Sequence, residues 1–171
     1  MNNPTSIFAI DPGPEFSAFV EYKRGLLLGH AKVPNADLLE ILRSDHWGGS
    51  RQLAIEMIAS YGMPVGREVF ETCVFIGRCA EAWNHQDVDP IRVTRHEIKM
   101  HLCHSARAND AAIRQALIDR FGPGKDRAIG KKASPGPLYG LAGDEWAALA
   151  LAVTVADRME AAMGIRQEAT V

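Results

Sequence analysis

Long apolar runs are missing from this 171-residue sequence. Its most hydrophobic windows, residues 146–155 and 26–28, fall well short of the ~20 residues that cross a bilayer. Cysteine is scarce as well: Cys73, Cys79 and Cys103 form an odd set of three, which argues against a disulfide framework and suits a reducing compartment. Neither sign of charge dominates. A formal net charge of −2 gives no sign of bulk affinity for nucleic acid, although a local basic surface can coexist with carboxylates that cancel the total. The opening MNNPTSIFAID has no basic stretch ahead of a long apolar one, so no secretory leader is expected. Hydrophobic residues at 47% and charged residues at 23% are ordinary globular proportions, which leaves no compositional case for disorder. The expectation is a cytoplasmic chain folded as one domain over residues 1–171, with a single substantial core and no membrane span.

The first half reads as strands. Residues 6–11 (SIFAID) are a short apolar run stopped by Pro12-Gly13, residues 16–22 (FSAFVEY) alternate, and residues 26–33 follow after a three-residue connector, a gap that favours an antiparallel hairpin. Asn35 is placed to cap a helix in which Leu38, Leu39, Ile41 and Leu42 share a face. Residues 52–58 (QLAIEMI) read as a fourth strand. Residues 67–83 read as a long helix with Val69, Phe70, Cys73, Val74, Ile76 and Gly77 towards one side. Residues 91–94 form a fifth strand, residues 97–103 a short helix, and residues 109–121 an amphipathic helix stopped by Gly122. Residues 122–143 are rich in Gly, Pro and Lys without periodicity, and a loop that long in a compact domain is usually functional or mobile. A last helix spans about residues 144–163. The order implies an α/β fold: a mixed sheet of three antiparallel strands followed by two parallel ones, flanked by helices.

Three carboxylates carry the chemistry. Asp11 ends the first strand before Pro12-Gly13, where a sheet presents side chains to a crevice. Glu56 interrupts an apolar strand, and a carboxylate there is costly unless it is paired or bound to a cation. Asp144 opens the last helix, from which an acidic side chain can project towards the first strand. Carboxylates gathered from distant segments suit Mg²⁺ or Mn²⁺, which prefer oxygen ligands. Each has a plainer reading as well: Asp11 as a turn former, Glu56 as partner to a buried Arg or Lys, Asp144 as a first-turn acid.

IFAIDPG, LAIEMI and GDEWAALALAVT, in that order, resemble the three acidic motifs of RuvC-type Holliday-junction resolvases of bacteria and phages, members of the RNase H-like superfamily. The segment IKMHLCHSARANDAAIRQALIDRFG (residues 98–122) is similar to the stretch preceding that family's last acidic helix. The resemblance implies an RNase H-like sheet and a two-metal endonuclease that cuts four-way DNA junctions. Asp11, Glu56 and Asp144 would be its catalytic and metal-binding residues, and the working form a homodimer matched to the junction's two-fold symmetry. Two features depart from the pattern. The family's second helical acid, three residues after the first, falls on Ala147, so the fourth ligand is absent, replaced by water, or supplied by Glu145, which points about 100° around the helix from Asp144. Pro14, Glu15 and Phe16 also replace the small residues usual after the glycine.

Lys125, Arg127, Lys131 and Lys132 lie in the segment leading to Asp144, and Lys99 and Arg107 in the segment before it; these six are candidate phosphate contacts, with simple solvation as the plain alternative. His101, Cys103 and His104 (HLCH) match no common zinc spacing and are expected as core or surface residues. Some apolar positions on the 67–83 helix could serve a homodimer face. Two rival functions stand beside the nuclease: a branched-DNA binding protein without catalysis, suggested by Ala147, and an actin/hexokinase-like phosphotransferase, which would need a second glycine-rich phosphate loop that the chain does not show.

Overall fold

The computed structural model describes residues 6–44, 51–83 and 88–168. Five strands form one sheet in the order β3-β2-β1-β4-β5: β1 (Ser6–Asp11), β2 (Phe16–Lys23), β3 (Leu26–Pro34), β4 (Arg51–Met57) and β5 (Ile91–Thr94). β1, β2 and β3 run antiparallel as two hairpins, while β1–β4 and β4–β5 pair in parallel. The expected mixed sheet is therefore present, strand for strand.

Side chains alternate across this sheet and feed two separate apolar layers. Phe8, Ile10, Leu53 and Ile55 face α1 (Asn35–Arg43) and α2 (Arg67–Ala82), where they meet Leu38, Leu39, Leu42, Phe75 and Trp83. Ile7, Ala9, Ala18, Val20, Tyr22 and Ala54 face α6 (Glu145–Glu168). The run Ala148–Val153 of α6 is completely buried, because α3 (Arg95–Cys103) and α4 (Asp110–Phe121) cover the side turned away from the sheet. A helix that is apolar all round belongs in such a place, and its alanines let it lie close on β1 and β2.

Several local expectations need correction. Asn35 does not cap α1; that position is taken by Pro34 with no side-chain bond, and the Asn35 amide is drawn to the β1–β2 loop. The buried side of α2 is Thr72, Phe75, Ile76, Cys79 and Ala82, whereas Phe70 and Val74 face solvent. The helix read at 97–103 begins at Arg95, set by a capping box between Thr94 and Glu97. Residues 122–143 are not one irregular loop. They contain α5 (Lys125–Ala128) and a hairpin of two two-residue strands, β6 (Gly130–Lys131) and β7 (Ser134–Pro135). Ala128 and Leu138 plug that segment into the α6-side core. Among the described residues no helix is long and apolar enough to cross a membrane.

Candidate metal centre

Parallel pairing brings two carboxylates together. Ile10 is in register with Ile55, so one step further places Asp11 beside Glu56. Both follow, by the two-residue alternation, Ala9 and Ala54 on the α6 face. Glu56 is in turn opposite Val93 of β5, and Asp11 is opposite Ala18 of β2, which is opposite Lys32 of β3. One row thus crosses all five strands near the carboxyl ends of the parallel ones: Lys32, Ala18, Asp11, Glu56, Val93.

The residue just before α6 comes down over this row. Asp144 Oδ2 is 2.6 Å from Lys32 Nζ. The backbone carbonyl of Asp144 accepts from the N–H groups of Ala147 and Ala148, which puts the residue at the helix boundary. Glu145 turns elsewhere: its Oε2 lies 3.0 Å from His30 Nδ1 and accepts from the Ala142 N–H at 2.8 Å. β3 therefore holds the start of α6 at two neighbouring same-face positions, His30 and Lys32. The Trp146 indole N–H donates to the Leu141 carbonyl at 3.2 Å, and the Arg114 guanidinium covers the ring at 4.5 Å from its centroid.

At the other end of the row Arg95 lies across Glu56 (Nη1 to Oε2, 3.4 Å) and also pairs with Asp110. An arginine in the first turn of a helix opposes the helix dipole, so its position depends on these acidic partners. Burial works against the Arg95 charge, but Glu56 and Asp110 outweigh it and hold its pKa above the ordinary value. The loop after Asp11 is pinned as well. The Gly13 N–H donates to Ser17 Oγ, Ser17 donates to Asn35 Oδ1 at 2.7 Å, and Asn35 Nδ2 donates to the Gly13 carbonyl at 3.0 Å. A Cβ on Gly13 would lie 2.4 Å from the Phe16 carbonyl oxygen, so only glycine fits.

Electrostatics single out Asp11. Its carboxylate makes no side-chain hydrogen bond among the described residues, and burial, then the charges of Glu56 and Asp144, push its pKa up to about 7 against the weaker opposing pull of Arg95 and Lys32. Burial likewise raises Glu56, with Arg95 pulling the other way. Partly buried oxygens with more negative charge than the neighbouring cations relieve are the donor type that Mg²⁺ or Mn²⁺ takes, so the donor chemistry suits such an ion. As the side chains stand, no three His, Cys, Asp or Glu groups among the described residues converge closely enough to hold one. Asp144 is turned onto Lys32.

Solved structures match this architecture. A Thermus thermophilus RuvC structure superposes with a TM-score of 0.63 at 17% identity, covering 91% of this chain and 97% of that one. T. thermophilus RuvC in complex with a Holliday junction substrate gives 0.61 at 17% identity, covering 88% and 92%. The fold is RNase H-like, of the RuvC kind. No family model and no curated protein matches the sequence.

The RuvC-like frame separates the sequence candidates. Asp11 and Glu56 are adjacent in register, and Asp144 is above them across Lys32. Glu145, the alternative fourth ligand, is engaged by His30 and Ala142 instead. Lys99 on α3 is close enough for its charge to lower the Glu56 pKa. Arg107, Lys125, Arg127, Lys131 and Lys132 are exposed on the α3–α4 connection, α5 and the β6–β7 turn. Of the HLCH residues, the His101 Nε2–H donates to the Asp157 carboxylate of α6 at 2.8 Å, and His104 ends α3 in the left-handed conformation. Sequence reasoning missed Lys32, Arg95 and His30, and read Asn35 as a cap rather than as the tether of the loop after Asp11. Thr94-Arg-His-Glu97 matches the capping-box pattern and could have exposed Arg95 as a misfit cation in a first turn. Nothing in the sequence marks Lys32.

Proposed function

We propose that this chain is a Mg²⁺- or Mn²⁺-dependent endonuclease that cuts branched DNA, four-way junctions foremost. The observation that carries the reading is the adjacency of Asp11 and Glu56 on the α6 face of a RuvC-like sheet, with Asp144 above them. Asp11 is the central metal ligand, and Glu56 and Asp144 complete the protein's share of the coordination. When bound, the metal supplies an activated water and neutralises charge on the phosphodiester. The chain's own residues prepare the site for it. Arg95 fixes the Glu56 carboxylate, and the Ser17–Asn35 bonds hold the loop that follows Asp11. Lys99, Arg107, Lys125, Arg127, Lys131 and Lys132 bind DNA phosphates, an interaction whose strength falls with salt.

A four-way junction has two-fold symmetry, and paired nicks need two such sites in a C₂ dimer. The exposed side of α2 suits a second copy: Phe70 and Val74 are 62% and 63% exposed one turn apart, and Gly77 beyond them has open space where a Cβ would be.

The deciding experiment incubates the protein with labelled four-way junction, flap and linear duplex, with and without Mg²⁺ or Mn²⁺, alongside Asp11→Asn. Symmetric, metal-dependent junction nicks that vanish in the variant are expected. Preferential flap cutting would keep the chemistry and change the substrate. One other reading has an observation behind it: Ala147 and the diverted Glu145 leave α6 with a single acid towards the site, as in a junction-binding protein without catalysis. Tight junction binding with no cleavage in either metal would establish that reading.

A further inference from the structure

We propose that Lys32 is a catalytic residue: its ammonium occupies the place of a second divalent ion, so that the centre works with one. This rests on the nuclease reading above and deepens it.

The α6 side of the site is poor in oxygen ligands. Asp144 reaches over the sheet, but three residues on, where a helix returns to nearly the same face, stands Ala147. Glu145 cannot take over, because its Oε2 already serves His30 and the Ala142 N–H. One carboxylate remains on that side, and its Oδ2 is bonded to Lys32 at 2.6 Å. Mg²⁺ holds about six oxygens at near-octahedral geometry. A second ion here would find Asp144, at most a shared oxygen of Asp11, and a like-charged ammonium as its neighbour, an arrangement Coulomb repulsion disfavours.

The opposite side of the same row is furnished differently. Asp11 and Glu56 stand side by side, and Asp144 Oδ1 has no side-chain bond among the described residues. Lys32 is separated from Asp11 in the row only by the methyl group of Ala18, and its charge acts on Asp11 across that gap. Its side chain is 49% exposed, on the face where a DNA backbone would reach the carboxylates. Asp144 uses one of the three ammonium N–H groups, leaving two for phosphate oxygens. A lysine is a compact point charge for phosphate, and held by Asp144 it is aimed in advance.

The test uses the full chain and Mn²⁺ alone, counting bound ions by electron paramagnetic resonance, with junction nicking measured in parallel. The wild type should bind one Mn²⁺ per chain. Lys32→Ala should keep that ion with affinity within about fivefold, yet nick roughly 10²–10³-fold more slowly, the usual loss when one preorganised donor to developing charge is removed. Lys32→Arg, which preserves the charge, should recover part of the rate, and Lys32→Met, which preserves the packing, should not. Melting temperatures near that of the wild type establish that the variants fold. Two Mn²⁺ ions per wild-type chain would overturn the inference while leaving the nuclease intact. So would a Lys32→Ala protein that gains a second ion and nicks at the wild-type rate, since Lys32 would then be a counter-ion displaced by metal. Failure of the wild type to nick with Mn²⁺ bound would overturn the nuclease reading itself.

Discussion

Asp11 and Glu56 stand on neighbouring parallel strands, whereas Asp144 and Glu145 stand at the start of a helix, and different forces hold the two pairs. For the strand pair, backbone hydrogen bonding sets the spacing before any side chain acts: the register that joins Ile10 to Ile55 also joins the acids that follow. Their proximity is imposed on them, and burial first, then the charges of Glu56 and Asp144, pushes the Asp11 pKa up to about 7. The helix pair is placed by its own side chains. His30 and Lys32 reach up from β3, one to each acid, and fix where α6 begins. A sheet can thus crowd like charges that would otherwise separate, while a helix start is positioned by the lysine and the imidazole that its acids attract.

Breaking the strand pair should have the largest effect. Asp11→Asn should lower metal-dependent nicking by at least about 10³-fold and leave junction binding largely intact, as gel shift in Ca²⁺ would report. The same variant tests the charge crowding. The folded-state pKa of Asp11 is above its unfolded value of 3.8, so folding takes up a proton between about pH 4 and 7. Its contribution to stability is full below that window and is lost as pH rises through it, by an amount on the order of 2–4 kcal/mol. Without metal, Asp11→Asn should therefore be more stable than the wild type at pH 8 and equal to it near pH 4 by denaturant melts. Mg²⁺ should stabilise the wild type at pH 8 and do little at pH 5.

Gly13→Ala comes next. The 2.4 Å approach to the Phe16 carbonyl must be relieved by moving the loop that carries on from Asp11. A loss of about 1–3 kcal/mol, with roughly tenfold weaker Mn²⁺ binding, is expected. The helix pair should respond least. His30→Ala removes one tether of α6 while Lys32 keeps the other. About 1 kcal/mol of stability and a severalfold loss of nicking, without change in the number of bound ions, would follow. An effect as large as that of Asp11→Asn would mean that both pairs depend on the same tethers and would erase the distinction between them.

The same contrast explains what could be read from the chain before its structure. Asp11, Glu56 and Asp144 sit in ordered motifs, and two of them interrupt or end apolar strands, so pattern alone raised them. All five strands of the main sheet were legible because alternation and Pro-Gly punctuation are local signals. Lys32 was not, because its meaning is tertiary: it faces Asp144 across 112 positions of sequence. Asn35 looked like a cap because caps are the commonest use of Asn before a helix, yet Gly13 and Ser17 from the preceding hairpin claim its amide. Phe70 and Val74 group with the other α2 hydrophobics on one side in the sequence pattern yet face solvent, since sequence counts apolar residues without saying which ones a neighbour covers. α5 and the β6–β7 hairpin, with four and two-plus-two residues, are too short for periodicity to register.

That short hairpin carries Lys131 and Lys132 at its turn, and two glycines lock its base. A Cβ on Gly136 would lie 2.3 Å from the Arg127 carbonyl oxygen, and one on Gly130 would lie 2.3 Å from that of Ser134. Backbone passes over backbone with no room for a side chain, and Leu138 anchors the return with no exposure at all. The two lysines are thus mounted on a stiff prong. A floppy basic arm must surrender backbone freedom, at about 1–2 kcal/mol per residue, when it settles on a polyanion. This prong has already surrendered that freedom in folding. Under the DNA-binding reading proposed above, the phosphates it meets must fit a shape already set by the fold.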